Sequence, residues 1–511
     1  MDKNFWKGKY DNLKLRAEEL SAGKINSAEF KKSAAPLGIY EQSNGRFMVR
    51  IRVTGGHLTL SDARTIINVA RKNETGHIHL TTRQDLQLHE VATDKIHPIV
   101  TELNDNGILF RGGGGDTYRN IVACPHSGIS PDSIFDVQPY AKAADEFLRE
   151  QEKAFQLPRK FKVGFSCCKD DASMAVVQDL GFIAKFAGGK KGFEVWAGGG
   201  MGRESSTGVK IFDFLPEEEL LRCIKAVLEI FHDHGDRTNR AKARLRFYVQ
   251  KIGANAFANN FYEYFGRTDQ IKYFLSDTLA STAKAISPAD SSQNINKNYD
   301  LWKNYSLSPT VFGKDIFSVR IFVPNGNLSL PDFEEVCNIA GEAGYMRISQ
   351  GQDILLPSVN SSNLESLYEV LSKLNLTGKS FNGLLTCCVG ATVCKIGILD
   401  SPAIAKSIAE SLELLFAGNP EKRAKYLPSI LNSIKISGCP NACGGHPSAI
   451  LGFQGMKKDV GGKMLPYLKV YTGADLKNGR LAVNSDDRII PAENAGDFAK
   501  EYLETLIIGK G

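Results

Sequence analysis

No uncharged apolar stretch in these 511 residues approaches the ~18 needed for a membrane-spanning helix, which argues against a helical membrane protein. The first twenty residues, MDKNFWKGKYDNLKLRAEEL, intermix charged and apolar positions and carry no apolar core. They read as neither a secretory signal nor a transit peptide, and the expected compartment is the cytoplasm. A strong charge bias is missing too: 63 Lys and Arg against 57 Asp and Glu leave +6. That excess gives no reason to invoke nucleic acid and suits a small anion or an acidic protein partner. Ten cysteines without an export signal read as thiols or metal ligands rather than disulfides.

What the sequence does have is a duplication. Residues 47–60, FMVRIRVTGGHLTL, align with 317–330, FSVRIFVPNGNLSL, at a constant shift of 270. Asn68-Val69-Ala70 answers Asn338-Ile339-Ala340, and Gln84-Asp85-Leu86 answers Gln352-Asp353-Ile354. Weaker echoes pair Ala123-Cys124 with Cys387-Cys388 and FEVWAGG (193–199) with LKVYTGA (468–474). A shift this long indicates two homologous halves about a pseudo-two-fold, not a solenoid. The Ser-, Ala-, Asn- and Asp-rich stretch from Ser276 to Asn298 reads as their connector.

Each half opens the same way. Phe47, Val49, Ile51 and Val53 alternate with Met48, Arg50 and Arg52, giving a strand with one apolar and one largely basic face. Gly55-Gly56 turns the chain, and Ser61 is placed to cap a helix carrying Ile66, Ile67, Val69 and Ala70. A second strand runs from His77 to Val91. If it stays extended, His79, Thr81, Arg83, Asp85, Gln87 and His89 share one polar face, which is costly unless it meets water or a polar ligand. Such units predict α+β or mixed α/β domains.

Cys388, Cys394, Cys439 and Cys443 lie in CCVGATVCKIG and SGCPNACGGHP. Four thiolates from loops loosened by Gly390, Gly438, Pro440, Gly444 and Gly445 suit an iron–sulfur cluster. Zinc, which favours shorter CxxC-type spacings, and unligated thiols remain the alternatives. Cys124, Cys168, Cys223 and Cys337 read as small core hydrophobes, and Cys167 and Cys387 as neighbours of other cysteines.

Together with FMVRIRVxGG, LTTRQxLQLH, RNIVACP and LPRKFK in this order, the cysteine motifs resemble the siroheme-containing nitrite and sulfite reductase family, from about residue 38 to about residue 500. The resemblance implies an internally duplicated fold whose halves each carry a ferredoxin-like half-domain and a larger mixed-sheet domain. The expected divisions are an extension (1–37), half-domain (38–110), reductase domain without cluster (111–275), connector (276–304), half-domain (305–378) and cluster-bearing reductase domain (379–511). It implies a 4Fe-4S cluster on Cys388, Cys394, Cys439 and Cys443, with Cys443 also bridging to siroheme. The first half has Cys124 where the second has Cys388, and no evident counterpart of CPNAC.

Siroheme carries many carboxylates and the substrate is a small oxyanion, so cationic donors are required. By the resemblance Arg50, Arg119, Lys160 and Lys162 bind the anion and supply or relay protons, with Arg52 beside them. Arg119 follows a glycine run, expected to let backbone approach a ligand closely. Lys160 and Lys162 share a strand face while Phe161 and Val163 point to the core. By the same resemblance the TTRQ segment would grip siroheme carboxylates through Arg83, with His79, Thr81, Thr82, Gln84, Gln87 and His89 around it. Some relatives have Arg where this chain has His79. His446 is placed either to donate to a sulfur or to cap a turn. In the second half Gly351 stands in place of Arg83. The basic run HGDRTNRAKARLRF (234–247) reads as a solvated or cofactor-side helix, and GGGMG (198–202) has no dinucleotide fingerprint behind it. With no flavin or nicotinamide domain, electrons come from another protein, most simply a ferredoxin. The sequence points first to sulfite reduction and second to nitrite reduction. A non-catalytic iron–sulfur carrier or sensor is the rival outside the class.

Overall fold

The computed structural model describes residues 3–108, 110–275, 297–484 and 487–508. The connector falls mostly outside these residues; its last part opens the Lys297–Ser306 helix. The described residues build four five-stranded sheets with helices packed on them, a mixed α/β architecture. Each half supplies one antiparallel sheet and one mixed sheet.

The antiparallel sheets exchange a strand. The first runs Ile39–Glu41, Phe47–Ile51, Leu86–Val91, His77–Leu80, and is completed by Asn327–Ser329 from the other half. The second runs Leu307–Thr310, Gly313–Ile321, Ile354–Asn360, Tyr345–Ile348, and is completed by His57–Thr59 of the first half. One continuous core follows, in which Val49, Ile51, Ile66 and Leu88 pack with Val319, Ile321, Phe333 and Val336. Burying each such side chain contributes ~1.5–3 kcal/mol, and the cluster that gains it runs across both halves.

The mixed sheets match as well. Val122–Ala123 and Val163–Ser166 pair in parallel, as do Thr386–Cys387 and Ile434–Ser437, and antiparallel strands continue each sheet. Stacked Phe165 and Phe182, 4.9 Å between centroids, centre one core; Ile408, Ile436 and Phe453 lie in the other.

Two local expectations are corrected. The helix after Gly55-Gly56 begins at Leu60 and is capped by Thr59, whose Oγ1 accepts from Asp62 N at 3.0 Å, so Ser61 lies inside it. Ser329 caps the twin helix in the same way. The His77–Val91 segment is a hairpin, not one strand. Thr81 N donates to Asp85 O at 3.0 Å and Gln84 takes φ 61°, so the polar residues do not form one flat face.

Candidate active site

The hairpin turn 81–85 sits where the halves meet. Its shape is local: Thr81 Oγ1 accepts from Arg83 N (3.2 Å) and Asp85 N (2.9 Å). That turn aims Arg83 at the first mixed sheet, where Nη1 donates to Gln178 Oε1 (3.0 Å) and Nη2 to Val163 O (3.3 Å). Thr82 points the other way. Its hydroxyl donates to the Cys443 carbonyl at 2.7 Å, joining the first half directly to the cysteine loop of the second.

Cations gather round this turn. Arg50 donates to Gly113 O at 2.8 Å and lies 3.7 Å from Asp85, and Arg119 donates to Gly115 O at 2.7 Å. Lys160 and Lys162 lead into the Val163–Ser166 strand on the same half-buried face, with Phe161 and Val163 fully buried between them. Burial and the neighbouring Arg244 push Lys160 down to about 7, and the Cys443 thiol acts on it in the opposite direction. Burial, Arg83 and Lys160 push Lys162 well down. Burial first, then crowding by like charge, brings Arg83 to about 9 and Arg119 to about 10. Asp85 is the carboxylate among Arg50, Arg52, Arg83 and Arg119. Burial outweighs all four and raises it to about 6.

Two further arginines belong here, and sequence reasoning underrated them. The segment expected as a helix over 234–247 is helical only from Leu245. Arg237 and Arg240 are exposed, but Arg244 and Arg246 are buried. Arg244 makes a two-pronged pair with Asp179 (3.1 and 2.7 Å), and Asp179 also accepts from Lys162 N at 2.9 Å. Arg246 lies against Gly200, where any side chain would meet its Nη1 at 2.8 Å. Nothing in the run itself marks Arg244 and Arg246 apart from its solvated members; their approach to Gly200 is made by the fold.

Other expected contacts are placed elsewhere. Gln84 is fully buried, and its amide is taken by the Ala123 and Ile348 backbones. His79 is buried with Nδ1 on Asn327 Oδ1 at 2.8 Å, and burial lowers it to about 4. His89 has both ring nitrogens engaged: Nδ1 with Gln42 at 3.0 Å, Nε2 with Gln87 at 2.8 Å. Gln87 lies between His89 and Arg50, so the two back Arg50 from behind. Arg52 turns away to pair with the buried Asp145 and the Arg111 carbonyl, stacked 4.4 Å over Tyr118. The glycine run approaches its own chain: a Cβ at Gly114 would strike Ala35 O, and one at Gly113 would sit 2.9 Å from Gly38 Cα.

The four cysteines lie on the two loops leaving the parallel strands of the second mixed sheet. Cys388 accepts from Gly438 N at 3.3 Å and has Ser401 Oγ at 3.3 Å. Burial raises Cys388 to about 11 and also raises Cys394 and Cys439. The charge on Cys443 adds to the rise in all three, so the four sulfurs share one neighbourhood. Among the described residues no group of three or more His, Cys, Asp or Glu is set to hold a single metal ion. Cys387 is not among the four sulfurs: its buried thiol donates to Asn325 Oδ1 at 3.4 Å.

A duplicated frame in which thiols from one copy meet a basic face from the other is that of an oxidoreductase acting on a small anion. The chain belongs to the nitrite and sulphite reductase family: the family's 4Fe-4S domain matches residues 114–268 and 381–507, and its ferredoxin-like half domain matches 40–106 and 313–374. The assimilatory ferredoxin-dependent nitrite reductase of Haloferax mediterranei is 26% identical over 494 residues, covering 92% of this chain and 81% of its own. The chloroplastic ferredoxin–nitrite reductase of Arabidopsis thaliana is 26% identical, over 92% of this chain and 78% of its own. The NADPH sulfite reductase hemoprotein beta-component of Oceanobacillus iheyensis is 24% identical, over 90% of this chain and 79% of its own. Among solved structures, the NirA protein of Mycobacterium tuberculosis superposes with a TM-score of 0.79 at 21% identity. It covers 98% of this chain and 92% of that one, a likeness of fold. No helix among the described residues is long and apolar enough to cross a membrane.

Proposed function

We propose that this protein reduces nitrite to ammonia with six electrons from a ferredoxin-type donor, at a siroheme coupled to a 4Fe-4S cluster. The observation that carries the reading is the meeting of Thr82 and Lys160 of the basic half with Cys443 of the cysteine half. Buried guanidinium nitrogens without acceptors, Nε of Arg83 and Arg119 and both Nε and Nη1 of Arg246, leave donors in surplus. A tetrapyrrole bearing many carboxylates relieves that surplus, so the residues fit the group. Arg83, Arg119, Arg244 and Arg246 would hold its carboxylates, and Cys388, Cys394, Cys439 and Cys443 the cluster. When bound, these groups supply an iron that takes the anion and a store that passes electrons singly.

The chain's own part is electrostatic. Arg50, Lys160 and Lys162 attract the anion, hold it and keep protons beside it, while Asp179 and Gln87 fix the side chains around them. Nitrite stands first because ferredoxin-dependent nitrite reductases from an archaeon and from plants align over most of this chain.

Sulfite is the second reading, favoured by Lys162. Sulfite near neutral pH is partly a dianion, and Lys162, whose proton burial and its cationic neighbours disfavour but a bound anion restores, then adds a second ammonium that attracts it more than nitrite. Turnover with both anions at one pH and ionic strength decides between them. The proposal expects higher kcat/KM for nitrite, and a strong preference for sulfite reverses the order. Lys162→Asn is expected to move the ratio further toward nitrite, chiefly by slowing sulfite; an unchanged ratio removes Lys162 as the discriminator.

A further inference from the structure

Two buried glutamines 268 positions apart make matching bonds across the pseudo-two-fold. Gln84 donates to Ile348 O of the second half at 2.8 Å and accepts from Ala123 N of its own half at 2.9 Å. Gln352 donates to Leu80 O of the first half at 3.1 Å and accepts from Cys387 N of its own at 3.1 Å. Both take left-handed backbone, φ 61° and 65°. Each is backed by a glycine that leaves no room for a side chain: Gly56 against Ile348 O and Gln84, Gly326 against Leu80 O and Gln352. The geometry is equivalent, but what lies beyond it is not. Gln84 ends at Ala123 and Cys124, in the copy without a cluster. Gln352 ends at Cys387, next to the candidate ligand Cys388, and its other arm holds Leu80, from which the turn bearing Thr82 and Arg83 begins. Thr82 makes a second tie to the same site through Cys443 O.

We propose that Gln352 is a positioning residue for electron transfer, fixing the Cys388 segment to the turn that holds the tetrapyrrole, whereas its twin Gln84, itself in that turn, ties it only to the copy without a cluster and does not act on the cluster. This rests on the function proposed above. A residue that orients a ligand from one bond away commonly affects metal retention or activity 10–100-fold when lost. Cys388 cannot shift relative to Leu80 while one amide holds both segments.

The test uses the twin as its control, on purified full-length holoenzyme. Gln84→Met and Gln352→Met each remove one buried amide of the same size, and both are expected to lower the thermal midpoint by similar amounts. Only Gln352→Met is expected to change the electron paramagnetic resonance signature of the reduced cluster. It should also lower kcat by on the order of tenfold or more, with KM for the anion within about twofold. Gln352→Glu keeps an oxygen facing Cys387 N but sets a second oxygen against Leu80 O, so it is expected to leave the signature changed. Should Gln352→Met not fold, Thr82→Val decides, since that side chain is not buried in the core; a smaller change in the same signature is expected. Equal spectral change in both methionine variants overturns the proposal. So does a Gln352→Met or Thr82→Val enzyme with the unmodified spectrum. An unmodified protein without iron and acid-labile sulfide would instead overturn the reductase reading itself.

Discussion

The loop 167–178 of the first mixed sheet and the loop 438–449 of the second follow equivalent strands and trace equivalent paths. The left-handed residues coincide, Asp171 (φ 47°) with Ala442 (φ 56°) and Met174 (φ 56°) with Gly445 (φ 81°). On that register Cys168 stands where Cys439 stands and Ala172 where Cys443 stands. The first copy therefore has a counterpart of the CPNAC segment after all, with sulfur kept at one of its two ligand positions. What differs is how each loop is closed. In the first, the buried Asp171 carboxylate takes Ser166 Oγ (2.5 Å), Ala175 N (2.6 Å) and Val176 N (3.1 Å), so the loop satisfies itself. In the second, Ser437 Oγ accepts from Gly444 N at 3.1 Å, no carboxylate is present, and the sulfurs are left for something else to hold. An internal carboxylate in one copy occupies the structural role that, on the proposed reading, the other leaves to a cofactor.

The sharpest way to break this comparison is at the sulfurs. Cys443→Ser is expected to lose iron, acid-labile sulfide and essentially all turnover, whereas Cys167→Ser and Cys168→Ser should keep the iron content of the unmodified protein. Equal iron loss in all three would mean the ligand set is wrong. Next in size, a chain stopped after Leu275 lacks the Asn327–Ser329 strand and half of the shared core. It is expected to show no stable heme absorption when mixed with siroheme, and a soluble heme-loaded fragment would contradict a composite site. Third, Asp171→Ala should destabilise the protein by about 2–4 kcal/mol in denaturant unfolding, because it strands three buried donors, while cluster content stays unchanged. Smallest is a difference in pH response. Burial raises Asp171 to about 6, so its contribution to stability is full below the unfolded carboxylate range near 3.8 and is lost as pH rises through 6. Burial lowers His446 to about 3, so its contribution is full above 6.5 and is lost as pH falls toward 3. Between pH 7 and 5, hydrogen-exchange protection factors of the apoprotein should rise in 167–178 and fall in 438–449; parallel changes would show that other groups dominate.

Much of this was legible in the sequence because duplication repeats its own evidence. The 270-residue shift exposed the two halves, and the alternation around Arg50, Lys160 and Lys162 located the basic face. What stayed hidden depended on partners far along the chain. Nothing near Gln84 or His79 says that Ile348 and Asn327 will complete their hydrogen bonds, so both read as free to meet a ligand. Arg52, on the same strand face, read as a neighbour of the Arg50 site until Asp145, 93 residues on, claimed it. Arg244 and Arg246 sat in a run whose other basic residues are solvated, and only the fold separates them. The turn at Gln84 was missed because its positive φ falls on a residue other than glycine, held there by contacts across the halves.

The exchanged strands also bear on synthesis at the ribosome. The first antiparallel sheet is one strand short until Ser329 has emerged, and at ~5–20 residues per second this takes on the order of tens of seconds. Throughout that interval the edge of the His77–Leu80 strand is unpaired, and the Leu80 carbonyl has no glutamine to receive. Completion of the N-terminal sheet is thereby deferred until the C-terminal half arrives, so the turn proposed to hold the cofactor is set only when the cysteine loop is about to be made.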